Sequence, residues 1–170
     1  MFKIEDKVVY KRNVCVIKDI KLNKFTNKEC YILIPIDDDS LKITIPVELG
    51  DCEIRNIISK EEVESIISNI PNIDTLEVIN EKNIENEYKK CLDEFSHENL
   101  IKIIKTTYLR NKSRIDAKKK ISDKDDMYFK MAEKLLYTEF SLALNMSYED
   151  TKDYVVSKVI KESSDNNERC

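Results

Sequence analysis

The sequence predicts an α+β fold in which a small antiparallel β module precedes an all-α helical bundle. Over residues 1–55 apolar residues alternate with period 2 in short runs, and from Ser59 onward they recur at helical spacing. Turn-forming clusters separate the runs of the first part. In the second part a serine followed three positions later by an acidic residue marks a helix start three times. At 170 residues the chain suffices for one ordinary domain or two small ones.

Four strands are expected in the first part: "KVVY" (7–10), "VCVIKDI" (14–20), "CYILI" (30–34) and "LKITI" (41–45). The last points Leu41, Ile43 and Ile45 inward against Lys42 and Thr44. "NKFTNKE" and "DDDS" read as turns, and Pro46 as a strand end or an edge position, because its nitrogen cannot donate to a ladder. Four or five short strands in this length suggest a small curled antiparallel sheet or an SH3-like barrel.

Ser59 and Glu62 open the first helix, with Val63, Ile66, Ile67 and Ile70 on its apolar face and Pro71 as its stop. A second pattern carries Ile84, Tyr88, Cys91, Leu92 and Phe95, and a third, capped by Ser96, carries Leu100, Ile101, Ile103, Ile104 and Tyr108. Ser122 and Asp125 open the longest helix, with Met127, Tyr128, Met131, Leu135, Leu136, Phe140 and Leu144 at helical spacing. Ser147 and Asp150 open the last, carrying Val155, Val156, Val159 and Ile160. The expected organisation is a β module over 1–55, a helical domain over 59–162 and a flexible tail over 163–170.

Composition restricts the function classes. The formal net charge is −4, so attraction to a polyanion must come from a local patch. "MFKIEDK" has no apolar core of a signal peptide, and no apolar run approaches a membrane span. A cytoplasmic protein without membrane association is expected. The five cysteines form no Cys-x-x-Cys pair, and Cys15, Cys30 and Cys91 read as reduced core thiols. With His97 as the single histidine, a zinc site is disfavoured, and His97 itself reads as a solvated residue beside a helix cap.

An enzyme is disfavoured too. Gly50 is the one glycine, so no glycine-rich loop can cradle phosphates, and no serine, threonine or cysteine lies in a nucleophile motif. Asp37–Asp39 reads as a hairpin turn. No cofactor and no small-molecule substrate are expected.

One local feature stands out against the acidic whole. Residues 102–120 hold eight basic groups against Asp116 alone. The run reads either as a phosphate contact or as a solvated helix end. Lysine weighs little here, because 23 isoleucines and 14 asparagines against three alanines indicate AT-rich coding that favours lysine at tolerant positions.

"MFKIEDKVVY", "VIKDI", "YILIPIDDDSLKITIPV" and "IRNIIS", followed in order by "EYKKCLDEF", "ENLIKIIKTTYLRNKS" and "KISDKDDMYFKMAEKLLYTEFSLALNMS", resemble the CarD family of bacterial transcription regulators, also called CdnL. The resemblance runs from residue 1 to about 160. It implies a Tudor-like N-terminal domain that binds the RNA polymerase β subunit, and a helical domain that touches promoter DNA at the upstream edge of the melted bubble, modulating open-complex stability. It places polymerase contact at Asn23, Lys24, Phe25 and Thr44. DNA contact falls on Ile84, which stands where relatives carry a tryptophan wedge, on Lys89, and on Arg110, Lys112, Arg114, Lys118, Lys119 and Lys120. Glu85 and Glu87 follow Ile84 where relatives are often basic. An adaptor that binds protein through both halves and has lost most of the DNA contact is the alternative.

Overall fold

The computed structural model describes residues 1–77 and 80–167, with residue 51 and residues 162–167 described by their backbone alone. The chain divides into two compact units, Met1–Ile57 and Ile58–Cys170. No helix among the described residues is long and apolar enough to cross a membrane.

The first unit comprises β1 (Lys7–Tyr10), β2 (Asn13–Asn23), β3 (Lys28–Pro35), β4 (Ile43–Pro46), α1 (Val47–Glu53) and β5 (Ile54–Asn56). All pairings are antiparallel, in the order β4-β3-β2-β1-β5. This is an open five-stranded sheet; closure into a barrel is not shown. Its core gathers Val8, Cys15, Ile17, Tyr31, Leu33, Ile45 and Ile54. Along β2 the register shifts between Ile17 and Asp19, leaving Lys18 as an extra residue. Such a bulge moves the inward positions from odd to even. Cys15 and Ile17 therefore face the core before it, and Ile20 after it.

Three local findings refine the expected strands. Leu41 is exposed rather than inward, because its N–H bonds Asp38 O and draws it into the turn before β4. Pro46 does end β4, and β4 is an edge strand. The chain then enters α1, which the period-2 reading passed over. There Gly50 is buried, and a Cβ on it would lie 2.6 Å from the Tyr31 ring. The single glycine is thus where an aromatic ring occupies the space of a side chain.

The second unit comprises α2 (Lys60–Asn69) with a 3-10 turn at Ile70–Asn72, α3 (Ile84–Glu94), α4 (His97–Asp116), α5 (Asp123–Leu144) and α6 (Tyr148–Asn167). α6 continues past the expected start of a tail at residue 163, and residues 168–170 lie outside the described residues. Ser59 makes the full reciprocal capping box with Glu62. Ser147 Oγ accepts the Asp150 N–H and donates to its carboxylate. With no glycine to end helices, Phe95 and Asn145 adopt the left-handed conformation at the C-termini of α3 and α5.

Tyr88, Leu92, Leu100, Ile103, Leu136 and Phe140 form the centre of this unit's core. On α5 the buried line runs through Tyr128, Ala132, Leu136, Phe140 and Leu144, leaving Met127 and Met131 to its side and exposed. Tyr108, Val156 and Ile160, also expected inward, are exposed for the same reason: the apolar stripe is wider than the face its neighbours cover. His97 is not solvated. Its Nε2 lies 2.9 Å from Glu139, a fully buried carboxylate that also accepts the Ile58 N–H.

Candidate functional site

On the first unit, the β2–β3 hairpin carries three of the four residues expected at a polymerase surface. Asn23 Oδ1 accepts the Phe25 N–H at 2.9 Å and the Thr26 N–H at 3.4 Å, and Asn27 closes the turn in the left-handed region with its N–H on Asn23 O. This Asx turn fixes the backbone and leaves Phe25 99% exposed at the tip, beside exposed Lys24. Leu22, also exposed, extends the apolar surface. Thr44 is exposed on β4 at the register of Ile32, away from the hairpin end, which closes at Asn23 and Lys28. The structure therefore brings Asn23, Lys24 and Phe25 together and sets Thr44 apart from them.

The helical unit treats its expected DNA-contact residues unequally. Ile84 is buried in the core, 3% exposed, so it offers no side chain to wedge between base steps. Lys89 is exposed but paired with Glu85 at 3.0 Å, and Lys124 holds the other oxygen of the same carboxylate at 2.8 Å. Lys124 and Lys89 hold the Glu85 carboxyl down to about 2. Glu85, acidic where the resembled family is often basic, is thereby matched by two cations.

Arg110 is the clearest departure. Its Nε donates to Asp125 Oδ2 at 2.9 Å, and its Nη1 and Nη2 donate to the two oxygens of Glu81 at 2.8 and 2.7 Å. Asp125, fully buried, also accepts the Tyr88 hydroxyl at 3.0 Å. Asp125 was expected to complete a capping box with Ser122. Only half of that box forms: Ser122 Oγ accepts the Asp125 N–H, while the Ser122 N–H donates to Asn111 Oδ1. The carboxylate turns inward because the half-buried Arg110 Nε–H and the buried Tyr88 phenol need an acceptor. Burial and the neighbouring Asp125 charge push the Tyr88 phenol well above its ordinary value.

The remaining cations are open. Lys112, Lys118, Lys119 and Lys120 are exposed and Arg114 half-buried. Lys120 meets Asp123 at 3.4 Å with both side chains in solvent, a pair of little consequence. Lys118 turns left-handed (φ 54°) after α4, and the Lys119 N–H bonds back to Arg114 O at 2.8 Å. This reversal folds Lys119 toward Arg114. Glu81, Leu109, Arg110, Ser113, Arg114 and Lys119 line an open cleft of about 450 Å³. Lys112 faces a different, more apolar cleft of about 300 Å³ together with Tyr108, Ile115, Ile121 and Phe129.

Sequence reasoning missed Glu81, Asp125 and Tyr88 as determinants of this surface. Glu81 carries no local sign of its role, and Asp125 was absorbed by its serine-spaced cap pattern. Among the described residues no group of three or more His, Cys, Asp or Glu could hold a metal ion. Cys15, Cys30 and Cys91 are free and buried, and burial pushes the Cys15 thiol up to about 11, with Asp37 adding to the shift. No known protein-family model and no curated protein matches the chain.

Proposed function

We propose that the protein is a CarD-like, non-enzymatic regulator of transcription initiation. In this reading the five strands form a Tudor-like module that docks on the RNA polymerase β subunit, and the helical unit touches promoter DNA through its backbone. Docking raises the local concentration of the second contact, so a modest cationic surface on an acidic protein is sufficient. The protein then works in the cytoplasm, at the nucleoid, wherever polymerase holds a promoter.

The observation that supports this most is Phe25. A fully exposed aromatic ring at the tip of a side-chain-locked hairpin has no role in its own core, and buried aromatic anchors carry much of the energy of protein interfaces. Titrating the 170-residue chain against a purified β-subunit fragment tests it. The wild type binds, and Phe25→Ala weakens binding at least tenfold while melting at the same temperature. Equal binding by both proteins, or none by the wild type, refutes the polymerase contact.

The adaptor reading has its own support in the burial of Ile84 and the capture of Arg110 by two carboxylates. Both remove contacts that a DNA-binding reading would use. In that case the helical unit binds protein, and the open cations of the α4–α5 turn are solvated only.

A further inference from the structure

We infer that the cleft at the end of α4 is a phosphate-binding site, built on Arg110, Ser113, Arg114 and Lys119 and occupied at rest by the carboxylate of Glu81. It extends the nucleic-acid part of the proposed function, resting on that reading only for the source of the phosphate, and it needs no polymerase contact.

The positions follow from helix geometry. Residues 110, 113 and 114 share one face of α4, and the left-handed turn at Lys118 returns Lys119 to that face. Arg110 is pre-oriented: buried Asp125 holds its Nε, so both terminal nitrogens point outward as a fixed fork. A guanidinium fork accepts carboxylate and phosphate in the same two-bond geometry. Glu81 occupies that geometry now, yet its side chain is 69% exposed, so little packing holds it there.

Charge favours the exchange. Arg110, Arg114 and Lys119 set against Asp125 and Glu81 leave the cleft with one net positive charge. With Glu81 swung into solvent the cleft carries two, which matches a phosphate dianion. Arg114 acts on Glu81 through its charge, but among the described residues neither Arg114 nor Lys119 is held in a salt bridge, so both can turn to an incoming anion. Complementing the negative end of the α4 dipole accounts for Arg114 and Lys119. It does not account for Arg110, fixed from behind a full turn earlier.

The test uses the full chain and two probes at low ionic strength, inorganic phosphate and a short DNA duplex. Binding is followed by amide chemical shifts and by calorimetry. Glu81→Gln keeps the shape of the side chain and removes its charge, so phosphate affinity should rise roughly fivefold, the worth of an exposed ion pair. Arg114→Ala combined with Lys119→Ala should abolish it, with the melting temperature nearly unchanged. If the duplex tightens together with phosphate in Glu81→Gln, the source is a nucleic-acid backbone; tightening for phosphate alone indicates a free phosphorylated compound. Unchanged or weaker phosphate binding in Glu81→Gln overturns the inference, as does full binding by the double variant. The β-subunit titration is independent of both results, so the polymerase reading and this one can fail separately.

Discussion

Asp125 shows how a single side chain decides what a surface can do. Its carboxylate satisfies Tyr88 and Arg110 together, which converts the first arginine of the basic run from a free cation into a fixed part of the fold. At the opposite end of the chain, Glu5 sits in the left-handed region (φ 71°), its N–H bonding Ile17 O at 2.7 Å. A residue with a Cβ is strained there, and its Lys18 partner at 3.4 Å lies in solvent. Glu5→Gly should therefore stabilise the first unit by about 1 kcal/mol, read as a higher urea midpoint with an unchanged slope. Tyr137 contributes to alkaline behaviour, alongside the raised phenol of Tyr88. Burial first, then Glu133 and Tyr148, pushes its phenol up to about 12, whereas an unfolded tyrosine loses its proton near pH ~10. Between those values the unfolded state binds fewer protons than the folded one, so stability is full below about pH 10 and falls as pH rises toward 12. Tyr137→Phe should flatten that fall in thermal melts taken across the alkaline range; an identical fall in both proteins would exclude Tyr137 as its origin.

Elements are stabilised here by devices that avoid glycine. Four helices start on serine side chains that accept the N–H three residues on, and the left-handed C-termini fall to phenylalanine and asparagine. The one glycine serves α1, where it lets the helix lie against Tyr31, whose hydroxyl accepts the Phe2 N–H at 3.1 Å. Gly50→Ala places a methyl within 2.6 Å of that ring and must displace it. The expected cost is roughly 2 kcal/mol of the first unit's stability, measured by chemical denaturation, despite alanine's better helix propensity. A neutral or stabilising effect would mean that the ring moves freely.

At the scale of the whole molecule, charge separates the two parts. Residues 1–55 hold ten basic and ten acidic groups, so the helical part carries the full −4. A nucleic-acid contact must therefore be short-range and strongly salt-dependent. With Arg110 occupied and Ile84 buried, Lys112, Arg114, Lys118, Lys119 and Lys120 remain as the open cations, enough for about four phosphate contacts at once. Four phosphate contacts imply a log-log salt slope of about −3.6, roughly a hundredfold loss of DNA affinity between about 50 and 200 mM salt. Phosphate contacts carry no base information, so duplexes of different sequence should bind alike. A slope near zero would favour the adaptor reading.

Much of the architecture was legible before any coordinates. Period-2 and helical spacing, serine caps and the position of Pro46 reflect interactions among residues within a few positions of one another, so they are written locally. They mark four of the five strands and the starts of α2, α4, α5 and α6, and the apolar content of Cys15, Cys30 and Cys91 marks their burial. The fate of individual polar groups is different. Arg110 meets partners 15 and 29 positions away, and Glu139 joins Ile58 and His97 across 81 and 42 positions. Local spacing does write pairs such as Lys89 with Glu85, but no local pattern specifies which carboxylates Arg110 and His97 will reach. Local sequence alone determined a sheet unit, a helical unit and a basic run along α4 and the turn that follows it; only packing decided which of those cations stay open, because burial forces every enclosed charge to find a partner wherever the chain brings one.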